Sequence, residues 1–397
     1  MKTTKHWLWL FPLLLLLVSC RNAAAPVPTS PTPVSPPASP TARSVPATWT
    51  VAPPTAEVAI STSEAALPPA STPAPDYWPT ADWRTASPES QGMDPQKLAQ
   101  LFTTIEKKSL DVDGVVVVRN GYIVAEAYYG SYQQDTRHRQ YSCTKSFISA
   151  LVGIAIEMGY LPAGVDQPVL ECFPGQTFAN PDPRKDALTL AHLLTMSAGL
   201  NWVEGDDVYR QMWQSGDWVK FVLDRRMVAD PGADFNYSSG VSHVLSGIIQ
   251  RGSGLLTQDF ARERLFGPLG ISDPHWDTDA DGLAIGGWGL MLTPREMAKL
   301  GYLYLHEGVW DGQQIVPAEW VKASTTDHIE TGGDLDYGYQ WWVYPTGDAY
   351  TALGLDGQII YVAPASALVV VFTAHNQDGS APLLDLIDTY ILPAVKK

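Results

Sequence analysis

Ser142 and Lys145 lie three residues apart in Tyr141-Ser142-Cys143-Thr144-Lys145-Ser146-Phe147, where a strongly apolar helix begins. On a helix that spacing puts both side chains on one face. A serine hydroxyl is a weak nucleophile near neutrality until a neighbouring base takes its proton, and a lysine amine within reach can be that base. The start of a helix adds unpaired backbone N–H groups and the positive end of the dipole, both of which favour an oxyanion. Attack on a carbonyl through an acyl intermediate is the chemistry this pattern suits. The spacing alone also fits an N-capping serine beside a solvated lysine, so the rest of the chain has to decide between them.

A second stretch bears on that choice. Phe235-Asn236-Tyr237-Ser238-Ser239-Gly240 follows the Pro231-Gly232 turn and precedes an apolar helix, which puts Tyr237 in a loop at a helix start. A free phenol ionises near pH about 10, so Tyr237 could act as a base near neutrality only beside a cation such as Lys145. Lysine and tyrosine could then share one proton. The same tyrosine also fits ordinary half-buried packing.

Together these motifs resemble those of the serine β-lactamase-like hydrolases, a group that includes class C β-lactamases, DD-peptidases and related esterases. Ser142-Cys143-Thr144-Lys145 is similar to their Ser-x-x-Lys motif and Tyr237-Ser238-Ser239 to their Tyr-x-Asn/Ser motif. His192-Leu193-Leu194-Thr195-Met196-Ser197-Ala198-Gly199-Leu200 and Gly289-Leu290-Met291-Leu292-Thr293-Pro294 also look like segments of the group. Within it, the Thr-Lys-Ser-Phe continuation is most similar to 6-aminohexanoate-dimer hydrolase relatives. The resemblance covers about residues 85 to 395. It implies Ser142 as nucleophile, Lys145 and Tyr237 as the proton-transfer pair, and an oxyanion hole formed by the backbone N–H groups of Ser142 and Gln358. It places the group's third motif, Lys/His-Ser/Thr-Gly, at Leu355-Asp356-Gly357, with Gly357 on the strand facing the substrate. Only the glycine is kept there, and the lost cation argues against substrates that carry a carboxylate at that place, such as β-lactams or D-Ala-D-Ala peptides.

Several elements must position these groups. Asp94-Pro95 with Leu98, Leu101, Phe102 and Ile105 predicts a capped amphipathic helix over 95–108. Val115 to Val118, Asn120-Gly121 and Tyr122 to Tyr128 predict a hairpin with a type I′ turn. The Ser142 helix runs to Gly159. Helices are predicted at Leu188 to Met196, Val241 to Gln250 and Pro294 to His306, the last capped by Thr293. Strands are predicted over Tyr337 to Tyr344, Gly357 to Ala363 and Ala367 to Ala374, followed by a helix from about Ala381 to Tyr390. Strands first, helices next and strands last describe an α+β fold: an antiparallel sheet flanked by helices, with a mainly helical insertion at about 160–310. The cleft between the two parts is the default site.

The chain of 397 residues is 45% hydrophobic and 17% charged, enough for one large domain or two interlocked ones. A formal charge of −16 argues against nucleic acid or an anionic lipid surface as partner. Lys2 and Lys5, then an apolar run from Trp7 to Val18, read as a secretory leader too short to span a bilayer. Its end, Leu17-Val18-Ser19-Cys20, resembles the lipobox of bacterial lipoprotein signal peptides, which implies cleavage before Cys20 and a lipid anchor on its sulfur. Residues 21–79 are dominated by Pro, Ala, Ser, Thr and Val and read as a tether of up to roughly 170 Å, leaving 80–397 as the hydrolase domain. The expected location is outside the cytoplasm, held to a membrane only through that lipid.

Cys143 and Cys172 remain, and Cys143 reads as a packing residue rather than a disulfide partner. No CxxC or His-rich cluster suggests a metal, and no cofactor is expected. His192 reads as structural. Trp202 and Trp288 are candidates for a pocket wall, while Glu204, Asp206 and Asp207 read as a solvated loop. The expected function is hydrolysis of a small ester or amide through an acyl-enzyme. The alternatives are a β-lactamase or DD-carboxypeptidase, and a surface binding module that no longer turns over.

Overall fold

The computed structural model describes residues 75–396, so the leader, Cys20 and the tether as far as residue 74 lie outside the described residues. The packed chain begins a little before residue 80: the Tyr77 hydroxyl donates to the Gly121 carbonyl at 2.6 Å, and Trp78 packs against Tyr302 and Trp310.

Seven strands form one sheet: β1 (Val112–Arg119), β2 (Tyr122–Tyr128), β3 (Asp336–Tyr337), β4 (Trp342–Val343), β5 (Tyr350–Gly354), β6 (Gln358–Ala363) and β7 (Leu368–Ala374). Their spatial order is β2-β1-β7-β6-β5-β4-β3, every neighbouring pair antiparallel. Because β1 lies beside β7, with Val115 opposite Phe372 and Val117 opposite Val370, the first and last strands close on each other. The chain between β2 and β3 therefore has to leave the sheet and return.

The hairpin joining β1 and β2 is built as its sequence demands. Asn120 and Gly121 both take positive φ, 52° and 85°, the conformation a type I′ turn requires.

Alternation along the strands separates two cores. Val115, Val117, Ile359, Tyr361, Val370 and Phe372 face α1 (Pro95–Lys107) and the carboxy-terminal helix. Val116, Val118, Ile360, Val362, Val369 and Val371 face the opposite side, where α2 (Thr144–Glu157) and the insertion pack. The central strands are thus buried on both faces, which is why β1 and β7 read as nearly unbroken runs of valine.

Two further helices matter to the site: α3 (Ser239–Ser253) and α4 (Pro294–Leu305). Thr293 and Glu296 form a reciprocal cap at the start of α4. On α4, Gly301 lies so close to β7 that a Cβ would press into Val369. That helix belongs to the layer over the sheet, so the inserted part is not bounded at about 310 as expected. The α+β class itself holds, with an antiparallel sheet, flanking helices and a mainly helical insertion.

Other departures are local. The strand expected over Tyr337 to Tyr344 divides into β3 and β4, which pair with each other around Gln340 at φ 63°. Helix α3, expected over Val241 to Gln250, begins at Ser239 and runs on to Ser253, where Gly254 at φ 73° ends it. His192 is structural as read: its Nδ1 accepts the Thr189 N–H at 3.1 Å in a cap. Cys143 and Cys172 are both free.

Helix α2 is buried almost all round and touches Trp320 closely at Gly153, where a Cβ would overlap the indole. Gly153→Ala should lower stability by about 1–3 kcal/mol through overpacking, seen as a lower thermal midpoint. Gly333→Ala, with only the Thr331 hydroxyl 3.4 Å away, should leave the midpoint nearly unchanged.

Candidate active site

Ser142 sits in a single 3-10 turn, Tyr141–Cys143, that leads directly into α2. The turn is held by an uncommon backbone: Tyr141 has φ 45°, a left-handed conformation that costs a non-glycine residue roughly 1–3 kcal/mol. First-turn N–H groups have no partner within a helix, so that of Ser142 is available to a ligand.

Lys145, one turn on, is 1% exposed. Its Nζ lies 3.0 Å from Ser142 Oγ, 2.9 Å from Ser239 Oγ and 2.8 Å from the Gly287 carbonyl oxygen. Burial lowers its pKa to about 8, with the Glu204 carboxylate and Cys143 pulling the other way. Near neutrality a substantial minority of molecules then carry the free amine. A neutral amine has two hydrogens and one lone pair. Donating to Gly287 and Ser239 leaves the lone pair for the Ser142 hydroxyl, the arrangement a general base needs.

Tyr237 joins the same group. Ser238 caps α3 by accepting the Val241 N–H at 3.3 Å, and this fixes the loop that carries the tyrosine. The ring lies under Lys145, with Nζ 4.8 Å from its centroid, and stacks on Trp342 at 5.8 Å. Ser142 is near enough to the phenol to act on its pKa. Burial pushes the phenol well above its ordinary pKa of 10.0, the Ser142 contact acting against it and Glu204 with it. Of the two bases the sequence left open, the shifts favour Lys145 over Tyr237. Desolvation is the largest influence on the phenol and raises its pKa, whereas the lowered pKa belongs to the lysine.

The strand opposite Ser142 is β5, which the sequence reading passed over. Its last residue, Gly354, lies against the Gln140 carbonyl oxygen so closely that a Cβ would overlap it. Leu353, Gly354 and Leu355 line the cleft. Gly357 and Gln358, assigned to the substrate side and the oxyanion hole, do not. Gly357 belongs to the turn between β5 and β6, at φ 93°, and a Cβ there would meet Leu383 at 2.7 Å on the other face of the sheet. Gln358 is buried, its amide donating to the Ala374 and Leu355 carbonyls and its own carbonyl accepting the Cys143 thiol. The glycine that faces the site is three residues earlier than expected. The triad ending on it, Ala352-Leu353-Gly354, also lacks a cation.

The cleft measures about 530 Å³ and is walled by aromatic side chains: Tyr141, Tyr209, Trp213, Tyr237, Trp288 and Trp342. Trp288 is where it was expected. Trp202 is not: it is buried behind the wall, packed edge-on to Tyr209 and against Gly240. Among the described residues, no arginine, lysine or histidine lines the cleft, while Glu204 and Asp206 do. Glu204 is exposed, as a solvated loop would have it, yet it is not without partners. Its carboxylate accepts from the Ser239 N–H at 3.0 Å and from Ser239 Oγ, Tyr209 OH and Trp202 Nε1. Its place in an aromatic-rich loop, two residues after Trp202 and five before Tyr209, was the available signal. Among the described residues no group of histidine, cysteine and carboxylate side chains is placed to hold a metal ion.

Comparison with known proteins bears on the family and the fold. A family model described as Beta-lactamase matches residues 98–396. The 6-aminohexanoate-dimer hydrolase of Paenarthrobacter ureafaciens is 25% identical over 284 residues, 65% of this chain and 71% of that protein. Monacolin J acid methylbutanoyltransferase of Aspergillus terreus is 30% identical over 281 residues, 66% of this chain and 59% of its own length. A solved family VIII carboxylesterase superposes with a TM-score of 0.61 at 17% identity, covering 75% of this chain and 96% of that one.

Gly354→Ala should slow covalent labelling of Ser142 by a fluorophosphonate at least about 10-fold, because a methyl group there forces β5 away from the serine. Labelling rates of the two proteins, compared at equal folded concentration, check this.

Proposed function

We propose that this chain, which belongs to the beta-lactamase family, is a serine hydrolase that cleaves a small ester or amide through an acyl-enzyme. The observation that carries the reading is the buried Lys145 amine, 3.0 Å from the Ser142 hydroxyl and with its pKa lowered to about 8.

Each step then has a group assigned to it. The neutral Lys145 takes the Ser142 proton as Oγ attacks the substrate carbonyl. The oxyanion forms between the Ser142 N–H and the N–H of Leu355, which takes the place first given to Gln358. Collapse of the tetrahedral intermediate expels the alcohol or amine. The proton held by Lys145 returns to that leaving group, with the Tyr237 phenol, kept protonated by burial, as the donor that can hand it over. Water enters, Lys145 takes its proton, and a second tetrahedral intermediate releases the acid and restores Ser142.

Two features narrow the substrate class. A cleft of about 530 Å³ with aromatic walls suits a small, largely apolar acyl or leaving group. A carboxylate on the substrate would find no cation among the lining residues and would meet Glu204 and Asp206 instead. This counts against a β-lactam or a peptide carboxy-terminus. The relatives named for acyl transfer and ester or dimer hydrolysis fit the same chemistry, because an acyl-enzyme can pass its acyl group to water or to an alcohol.

Ser142→Ala should reduce p-nitrophenyl ester hydrolysis by at least about 1,000-fold and abolish fluorophosphonate labelling. In the wild type, kcat/KM should rise with pH through a midpoint near 8, since the base is the amine form of Lys145 and is lost to protonation below it. Nitrocefin turnover should be at least about 100-fold slower than that of an activated short ester. A cleft unable to pair the β-lactam carboxylate forgoes the charge-assisted contact that would hold it. A panel of esters, linear amides and β-lactams over pH 6–10 checks all three.

A further inference from the structure

Glu204 is hydrogen-bonded into the catalytic group although it is itself exposed, in an open loop where its neighbour Val203 is 76% exposed. Four donors converge on its carboxylate, from Trp202, Tyr209 and both the N–H and the hydroxyl of Ser239. Ser239 Oγ in turn lies 2.9 Å from Lys145 Nζ, and Nζ lies 3.0 Å from Ser142 Oγ. A continuous run of hydrogen bonds therefore leads from a loop carboxylate to the nucleophile.

The direction of that run is what matters. A carboxylate only accepts, so the single hydrogen of Ser239 is committed to Glu204 and its lone pairs are left for Lys145. The amine must then donate to Ser239 and to Gly287, and its lone pair is left for Ser142. Were the Ser239 hydrogen free, it could point at the amine and occupy the lone pair that the reaction needs. Trp202 and Tyr209 make the commitment firm by each donating to one of the two carboxylate oxygens.

We propose that Glu204 is a positioning residue that sets the hydrogen-bond direction through Ser239, so that the free amine of Lys145 presents its lone pair to Ser142. The inference rests on the reading of Ser142 as nucleophile and Lys145 as its base. The groups facing Lys145 are Ser142 and Cys143 from its own helix start, Tyr237 and Ser239 from the start of α3, the Gly287 carbonyl, and Glu204 with Tyr209 behind it. Of these, Glu204 brings the negative charge, which favours the ammonium. It therefore moves the acid limb of activity upward while it orders the amine.

The test compares the full chain with its Glu204→Gln and Glu204→Asp variants on a neutral activated ester across pH 6–10. Ser142 labelling by a fluorophosphonate counts the competent sites in each. Glutamine removes the charge and offers an amide in place of an oxygen. The expected result is an acid limb displaced to lower pH by about one unit and a plateau kcat at least about 10-fold lower, with little change in KM. Aspartate keeps the charge on a shorter arm, so its limb should stay near the wild-type value while its plateau falls. An unmoved limb in Glu204→Gln, or a full plateau in Glu204→Asp, would overturn the proposal; the aspartate arm decides alone if the glutamine protein does not fold. If Ser142→Ala still turns over the ester, the underlying reading fails instead. An inert Ser142→Ala beside an unmoved Glu204→Gln limb rejects the inference only.

Discussion

A primary amine removed from water must either lose its proton or be given three acceptors, and Lys145 has a site that permits both. Its Nζ faces Ser142 Oγ, Ser239 Oγ and the Gly287 carbonyl, which satisfy an ammonium, yet burial holds its pKa at about 8. The two protonation states are therefore close in energy near neutrality, and the amine can take and return a proton at little thermodynamic cost. The structure around it serves that balance. Helix α2 is apolar on nearly every side because it must carry Lys145 into the interior, and α3 starts at Ser239, which puts a hydroxyl beside the amine.

The sheet supplies the rigid opposite wall. Its two faces bury separate cores, so β5 is fixed in height and direction before it reaches the cleft. Two backbone features lie at the proposed site: the left-handed Tyr141 immediately before Ser142, and Gly354 closely packed against the Gln140 carbonyl. The aromatic wall then excludes water from one side, while Glu204 and Asp206 make the rim acidic. A site built in this way should favour uncharged carbonyl compounds over anionic ones.

Much of this was legible in the sequence because it is written in local patterns. Asp94-Pro95 specified α1, Asn120-Gly121 the first hairpin, and Thr293 with Glu296 the start of α4. Ser142, Lys145 and Tyr237 were legible as a group because fixed spacing and order along the chain signalled them. What could not be read depends on partners far apart in sequence. Gly357 looked like the strand glycine, but a turn at Asp356 and Gly357 sends it to the far face, and β5 is a short segment with a weak pattern of its own. Glu204 is exposed as read, but its donors, Trp202, Tyr209 and Ser239, converge on it only in three dimensions. The choice between the two bases stayed open in the sequence for the same reason: depth of burial, which no motif records, raises the phenol's pKa and lowers the amine's.

The most direct test is the titration of Lys145 itself, followed by NMR through its labelled side-chain ε-methylene and assigned by its loss in Lys145→Arg. The account predicts a midpoint near 8 in the resting protein. An amine that stays charged to above pH 10 would contradict it, since Ser142 would then have no base at neutral pH.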